Sequence, residues 1–334
     1  MKKQKSYRLI LTVFLVLLVG IVLAAMCIGR YSVSSAEVLR YLFFHVEDNK
    51  MITTVMWSVR IPRILMALIV GAGLSVSGVS LQAMFGNPLV NAHILGVSYS
   101  AGFGAALGIL LFSRFAYVEI LALLFGFVGM ALTYSLSKKR GSSGTLMLVL
   151  SGVVVGAVFE ALTSFIKYVA DPEEKLPAIT YWLMGSLTGS SMQDVCRALP
   201  MIGIAVFVLW LLRWRLNVIS LSEDEAASLG INLKRTRLLI VVATTMIAAS
   251  TVAMCGVISF VGLAVPHLTR MVVGNDHKKL LPLSIITGAG YMVIIDTAAR
   301  SISAAEIPLS ILTALIGAPI FALMLRRTGG AWNA

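Results

Sequence analysis

Ten long apolar runs, separated by short polar or basic stretches, set the pattern of this chain; they lie at about 9–28, 62–84, 94–112, 117–136, 145–168, 195–212, 237–255, 257–272, 281–300 and 308–325. About 20 apolar residues in helical conformation cross the hydrocarbon layer of a bilayer, so each run predicts a transmembrane helix. The run at 257–272 is short and contains Gly262 and Pro266, which predicts a broken or tilted crossing. Two stretches fall outside the pattern. Residues 30–59 form a long connection after the first run, and residues 171–193 are too polar to cross. The apolar centre of the latter, about 176–187, predicts a short helix lying on the outer surface. The pattern therefore predicts an all-α polytopic membrane protein, with residues 1–334 forming a single transmembrane domain.

Composition agrees with this. Only 13% of the 334 residues are charged, against roughly 25% in soluble domains. A net charge of +12 could suggest nucleic acid as a partner, but the basic residues sit between apolar runs. That is the distribution of the positive-inside rule, and no nucleic-acid partner is expected. With the N-terminus inside, the inner segments hold 17 of the 27 Lys and Arg residues, including Lys138-Lys139-Arg140 and Lys234, Arg235 and Arg237. Ten spans with both termini cytoplasmic satisfy the rule, and the opposite orientation does not. The first run, after Lys2, Lys3, Lys5 and Arg8, is long and lacks a convincing small-residue cleavage site, so it reads as a span rather than a signal peptide. Cys27, Cys196 and Cys255 form no CxxC pair, and His45, His93, His267 and His277 have no metal-site spacing and read as structural.

There is no GxxxxGK[ST] phosphate loop, no HExxH and no paired intramembrane aspartates at a fitting spacing. The chain is not expected to be an enzyme, and any ATP-driven work must come from a partner. Residues 221–236, LSEDEAASLGINLKRT, could receive such work. Glu223, Asp224 and Glu225 suit the start of a short helix. Gly230 can end it in the left-handed conformation, and Asn232 can cap the next helix. By itself the segment reads equally as a solvated loop. Arg60, Arg63 and Arg300 lie on the outer side, where the charge rule disfavours them. They either snorkel to headgroups or meet an acidic partner. Ser142 and Ser143, in the Gly141–Thr145 turn, lie at the inner mouth of the bundle. Glu160 reads as the one acid deep in a span, lining a pathway, pairing with a neighbouring helix or sitting protonated against protein. Asp296 and Arg300 are spaced for a local ion pair.

Several segments, in order from about residue 57 to residue 325, resemble the permease subunits of ABC importers for iron chelates, haem and vitamin B12, the FecCD-type or type II importer fold. They are Arg60-Ile61-Pro62-Arg63 with Gly71-Ala72-Gly73-Leu74, Gly78 and Gln82; Asn87-Pro88-Leu89 and Leu95-Gly96-Val97; and Trp182-Leu183-Met184-Gly185-Ser186-Leu187. Further along are Glu223-x-x-Ala226-x-x-Leu229-Gly230; Phe260-Val261-Gly262-Leu263 with Pro266-His267, Arg270, Asp276-His277 and Leu281-Pro282; and Thr313 to Pro319. The chain departs from the pattern at Ser222, Ser310 and Val90-Asn91-Ala92.

The resemblance implies a multi-pass subunit in the inner (cytoplasmic) membrane of a bacterium or archaeon. It implies two ABC ATPase subunits inside, an extracytoplasmic substrate-binding protein outside, and a second permease copy or paralogue, with the pathway between the two. No cofactor is expected on this chain, ATP and Mg belonging to the ATPases. It assigns ATPase coupling to Glu223, Asp224, Glu225, Ala226, Leu229 and Gly230, binding-protein docking to Arg60, Arg63 and Arg300, and an inner gate to Ser142 and Ser143. A ferric siderophore is the family's commonest cargo, with haem, cobalamin and molybdate open. The reading from another class is an ion-gradient-driven secondary transporter.

Overall fold

A computed structural model describes residues 2–29, 33–34, 37–38, 40, 50–112, 114–137, 144–220, 225, 228–303 and 305–328. The described elements are all helical: α1 (Lys2–Cys27), α2 (Lys50–Thr54), a π-helical turn (Val55–Arg60), α3 (Ile61–Phe85), α4 (Val97–Leu111), α5 (Phe115–Ser137) and α6 (Gly144–Val169). They continue as α7 (Lys175–Leu183), α8 (Met192–Leu211), α9 (Arg213–Ile219), α10 (Leu233–Cys255), α11 (Val261–Val273), α12 (His277–Ser301) and α13 (Leu309–Thr328).

Every apolar run predicted from the sequence carries a helix. Seven helices are long and apolar enough to cross a membrane, while α4, α11 and the described part of α13 are shorter. At 1.5 Å per residue the 13 residues of α11 span about 20 Å, short of a roughly 30 Å hydrocarbon layer. Irregular stretches precede both short helices, residues 87–96 before α4 and 256–260 before α11. Backbone at such depth must find partners within the protein. Asn91 Oδ1 accepts from the N–H groups of His93 and Ile94, and Gln82 Nε2 donates to the Gly262 carbonyl.

The bundle is built around α3. Its most apolar stretch is 78% buried, α10 reaches 72% and α12 61%, whereas α1 is only 11% buried and clings to the outside. The reason is small residues on facing helices, which let backbones approach. A Cβ on Gly71 of α3 would stand 2.2 Å from the carbonyl oxygen of Gly288 in α12, and one on Gly288 would stand 2.4 Å from the carbonyl oxygen of Gly71. The α3–α12 crossing is thus a backbone-to-backbone contact that no larger side chain fits. The outward faces of α5 and α6 are apolar, with Ile120, Leu124, Leu150, Val154, Val158 and Phe165 exposed. In a bilayer such faces meet lipid or another membrane subunit.

The predicted surface helix exists as α7 but ends at Leu183 rather than 187. Gly185, in the left-handed region at φ 72°, turns the chain there. Its carbonyl accepts from Leu309 N–H, the Met184 carbonyl accepts from Ser310 N–H, and Ser186 N–H donates to the Cys255 carbonyl. Three connections on the outer side, around 184–186, 255–257 and 309–310, are knitted together in this way.

Candidate functional site

The described part of the 221–236 segment, residues 225 and 228–236, forms as its local chemistry dictates. Gly230 sits at φ 72° with open space around it, and Leu229 is exposed. Asn232 caps α10, its side chain accepting from Arg235 N–H at 3.0 Å. Glu225 is helical and exposed. Glu223, Asp224 and Ala226 lie outside the described residues, as do Ser142 and Ser143 of the inner turn. A short helix and a long one flank the segment. On one side α9 buries Leu216, Val218 and Ile219 against the bundle, and on the other α10 begins. The result is an exposed, well-capped corner at Leu229, Gly230 and Asn232 between two anchored helices.

Arg60, Arg63 and Arg300, the arginines expected to dock a binding protein, are buried within this chain, at 2%, 5% and 7% exposure. Arg63 Nε donates to both oxygens of Asp296 at 2.8 and 3.0 Å, and its Nη1 donates to Glu306 Oε2 at 2.8 Å. Arg60 donates to the Met26 carbonyl and Arg300 to the Ala25 carbonyl, both at the C-terminal end of α1. The physical reason is compensation inside the chain. The three cations face two carboxylates and the negative end of a helix dipole, where cations are favoured. The spaced pair Asp296–Arg300 is present but loose, at 3.8 Å, because Arg63 takes Asp296 first.

Glu160 is exposed on the outward face of α6, and it is not the only acid within a helix of the bundle. Glu119 in α5 is buried and accepts from Arg197 of α8 at 2.7 Å, and Asp296 is 1% exposed. Among the described residues no group of three His, Cys, Asp or Glu side chains could hold a metal ion.

A cavity of about 550 Å³ opens between α7, the 184–190 connection, the start of α8 and the end of α10. Phe115, Tyr181 and Trp182 supply aromatic walls, and Asp194, Thr188 and Glu306 supply polar ones. Glu306 also accepts from Thr188 Oγ1, so one carboxylate joins the cavity wall to Arg63. Sequence reasoning missed Glu306, Glu119 and Arg197, since nothing local marks a pair whose members lie far apart in the chain.

The central buried helix, the two short apolar helices behind irregular backbone, and the capped corner at Gly230 and Asn232 agree with the resemblance carried by the sequence motifs. The profile of the FecCD transport family matches residues 15–327. The chain belongs to the FecCD transport family. It is a permease of the type II ABC importer class, a transport subunit, and a multi-pass membrane protein. The molybdate import system permease protein MolB of Haemophilus influenzae is 42% identical over 96% of this permease and 96% of its own length. The cobalamin import system permease protein BtuC of Halobacterium salinarum is 41% identical over 80% of this chain and 72% of its own. A probable iron chelatin transport system permease of Helicobacter pylori is 38% identical over 86% and 87%. Among solved structures, an inward-facing putative metal-chelate type ABC transporter superposes with a TM-score of 0.87 at 42% identity, covering 95% of this permease and 99% of that chain. PsaBC of Streptococcus pneumoniae, at 17% identity and a TM-score of 0.60 over 87% and 95%, shares the fold.

Proposed function

We infer that this permease is one of two membrane subunits of a binding-protein-dependent importer in the cytoplasmic membrane, driven by two ATPase subunits docked on residues 221–236. The observation that carries this reading is the exposed, capped corner at Leu229, Gly230 and Asn232, held between buried anchors on both sides. ATP and Mg bind on the ATPases. A binding protein delivers cargo to the outer face, and the pathway runs between two permease copies. Glu160, exposed on α6, faces that pathway, and Ser142 and Ser143 stand at its inner gate.

The cargo is a metal-bearing solute. A molybdate-type oxyanion comes first, because the permease named for molybdate is similar over nearly the full length of both chains at 42% identity. A ferric siderophore is the second reading, supported by relatives named for iron chelatin and siderophore transport at 38% and 32% identity. The test is ATP-dependent uptake into vesicles holding the permease, its ATPase and its binding protein, with labelled molybdate and a ferric siderophore offered in parallel. Saturable uptake of molybdate alone supports the first reading, and uptake of the chelate alone replaces it with the second.

A further inference from the structure

Asn217 lies in α9, two residues before that helix ends at Ile219 and four before the coupling segment begins at 221. Its side-chain amide holds the start of α12 with both ends. Nδ2 donates to Asp276 Oδ1 at 2.9 Å, while Oδ1 accepts from the His277 backbone N–H at 2.8 Å and lies 2.7 Å from His277 Nδ1. The roles are forced. An amide oxygen only accepts, so Nδ1 of His277 carries the proton. Turning the amide over would set its NH₂ group against the His277 backbone N–H and its oxygen against the Asp276 carboxylate. Asp276 is itself the N-cap of α12, accepting from Lys278 N–H at 3.1 Å. One neutral side chain thus joins the last turn of α9 to both the cap and the first residue of α12. His277 is buried, with Nε2 turned inward.

α12 is suited to carry a displacement received there. From His277 to Asp296 it runs 19 residues, about 28 Å at 1.5 Å per residue. Midway it meets α3 at the Gly71–Gly288 contact, which leaves no slack. At the far end Asp296 holds Arg63 and Arg300, and Arg63 holds Glu306 on the cavity wall. The inner corner and the outer cavity are therefore linked by one rigid helix with polar ties at both ends. Coupling between distant sites requires an element of this kind, which both sites bias.

We propose that the Asn217–Asp276–His277 clamp is the positioning site through which movement of the coupling segment enters α12. This rests on the importer reading, since the ATPases supply the movement. The clamp lies outside residues 221–236, the segment on which the ATPases are inferred to dock, so breaking it separates transport from hydrolysis while leaving assembly intact.

The experiment measures uptake per ATP hydrolysed in vesicles containing the complete complex. In Asn217→Asp a carboxylate faces the Asp276 carboxylate, and in Asn217→Ala the ties are removed without adding charge. In both, the complex assembles and hydrolyses ATP, and uptake per ATP falls about tenfold, within the range typical of coupling between sites. If Asn217→Asp does not assemble, Asn217→Ala is read alone. A wild-type ratio in Asn217→Ala overturns the proposal. Failure of the wild-type complex to couple uptake to ATP at all would instead overturn the importer reading.

Discussion

At Arg63 one guanidinium holds two carboxylates from distant parts of the chain, Asp296 and Glu306, in a site where Asp296 is 1% exposed. Removing one partner of a buried pair strands the other charge, which costs about 3–5 kcal/mol. Arg63→Ala is expected to lower stability by about that amount, and Glu306→Gln by less, because Glu306 is partly exposed. Thermal melts of the purified permease in one detergent check both; equal, small shifts would mean that the cluster is solvated. The residue types at this site were legible in the sequence: three arginines on the disfavoured side asked for a reason. The reason itself was not legible, since Arg63 and Asp296 are 233 positions apart and only the crossing of α3 with α12 brings them together. Asn217 gave no signal at all, being uncharged and outside the segment its chemistry serves.

Asp276 adds a pH dependence at this scale. Burial pushes its carboxyl up, but the hydrogen bonds from Asn217 and Lys278 N–H and the Lys279 and Lys278 ammonium groups outweigh this and hold it below the ordinary carboxylate range. A carboxylate with a depressed folded-state value stabilises the fold above its unfolded value, about 3.9 for Asp. That contribution is lost as pH falls through the lower folded value. The clamp is therefore complete at neutral pH. Melting temperatures followed from pH 6 downward should decline more in the wild type than in Asp276→Asn, and parallel curves would contradict this.

Among the elements, the long helices were legible because apolar runs of bilayer length have few other structures open to them. The corner after α9 was legible for a different reason. Gly230 and Asn232 act through backbone geometry within a few residues, and both adopt the predicted roles, at φ 72° and as the cap of α10. The end of α7 was misjudged because the apolar pattern continues to Leu187 while Gly185 turns the backbone first. Gly230→Pro should break the corner, since proline is fixed near φ −65° and cannot take φ 72°. Uptake is expected to fall while ATP hydrolysis continues. Leu229→Asp, on the exposed face of the same corner, should act likewise, and unchanged uptake in both would remove the coupling role. Gly288→Val, by contrast, should prevent folding or assembly rather than coupling, because its side chain would meet the α3 backbone.

The whole molecule presents three kinds of surface. Apolar faces on α1, α5 and α6 suit lipid or a second copy, the polar cytoplasmic corner suits the ATPases, and the cavity under α7 opens on the outer side. None of these has a complete function alone, so function belongs to the assembly. The most direct test is the mass and composition of the native complex, extracted from its own membranes in mild detergent. Two permease copies, or one with a paralogue, are expected bound to two ATPase subunits. A 35.8 kDa chain recovered without any ATPase, and carrying out gradient-driven uptake without ATP, would contradict the importer assignment.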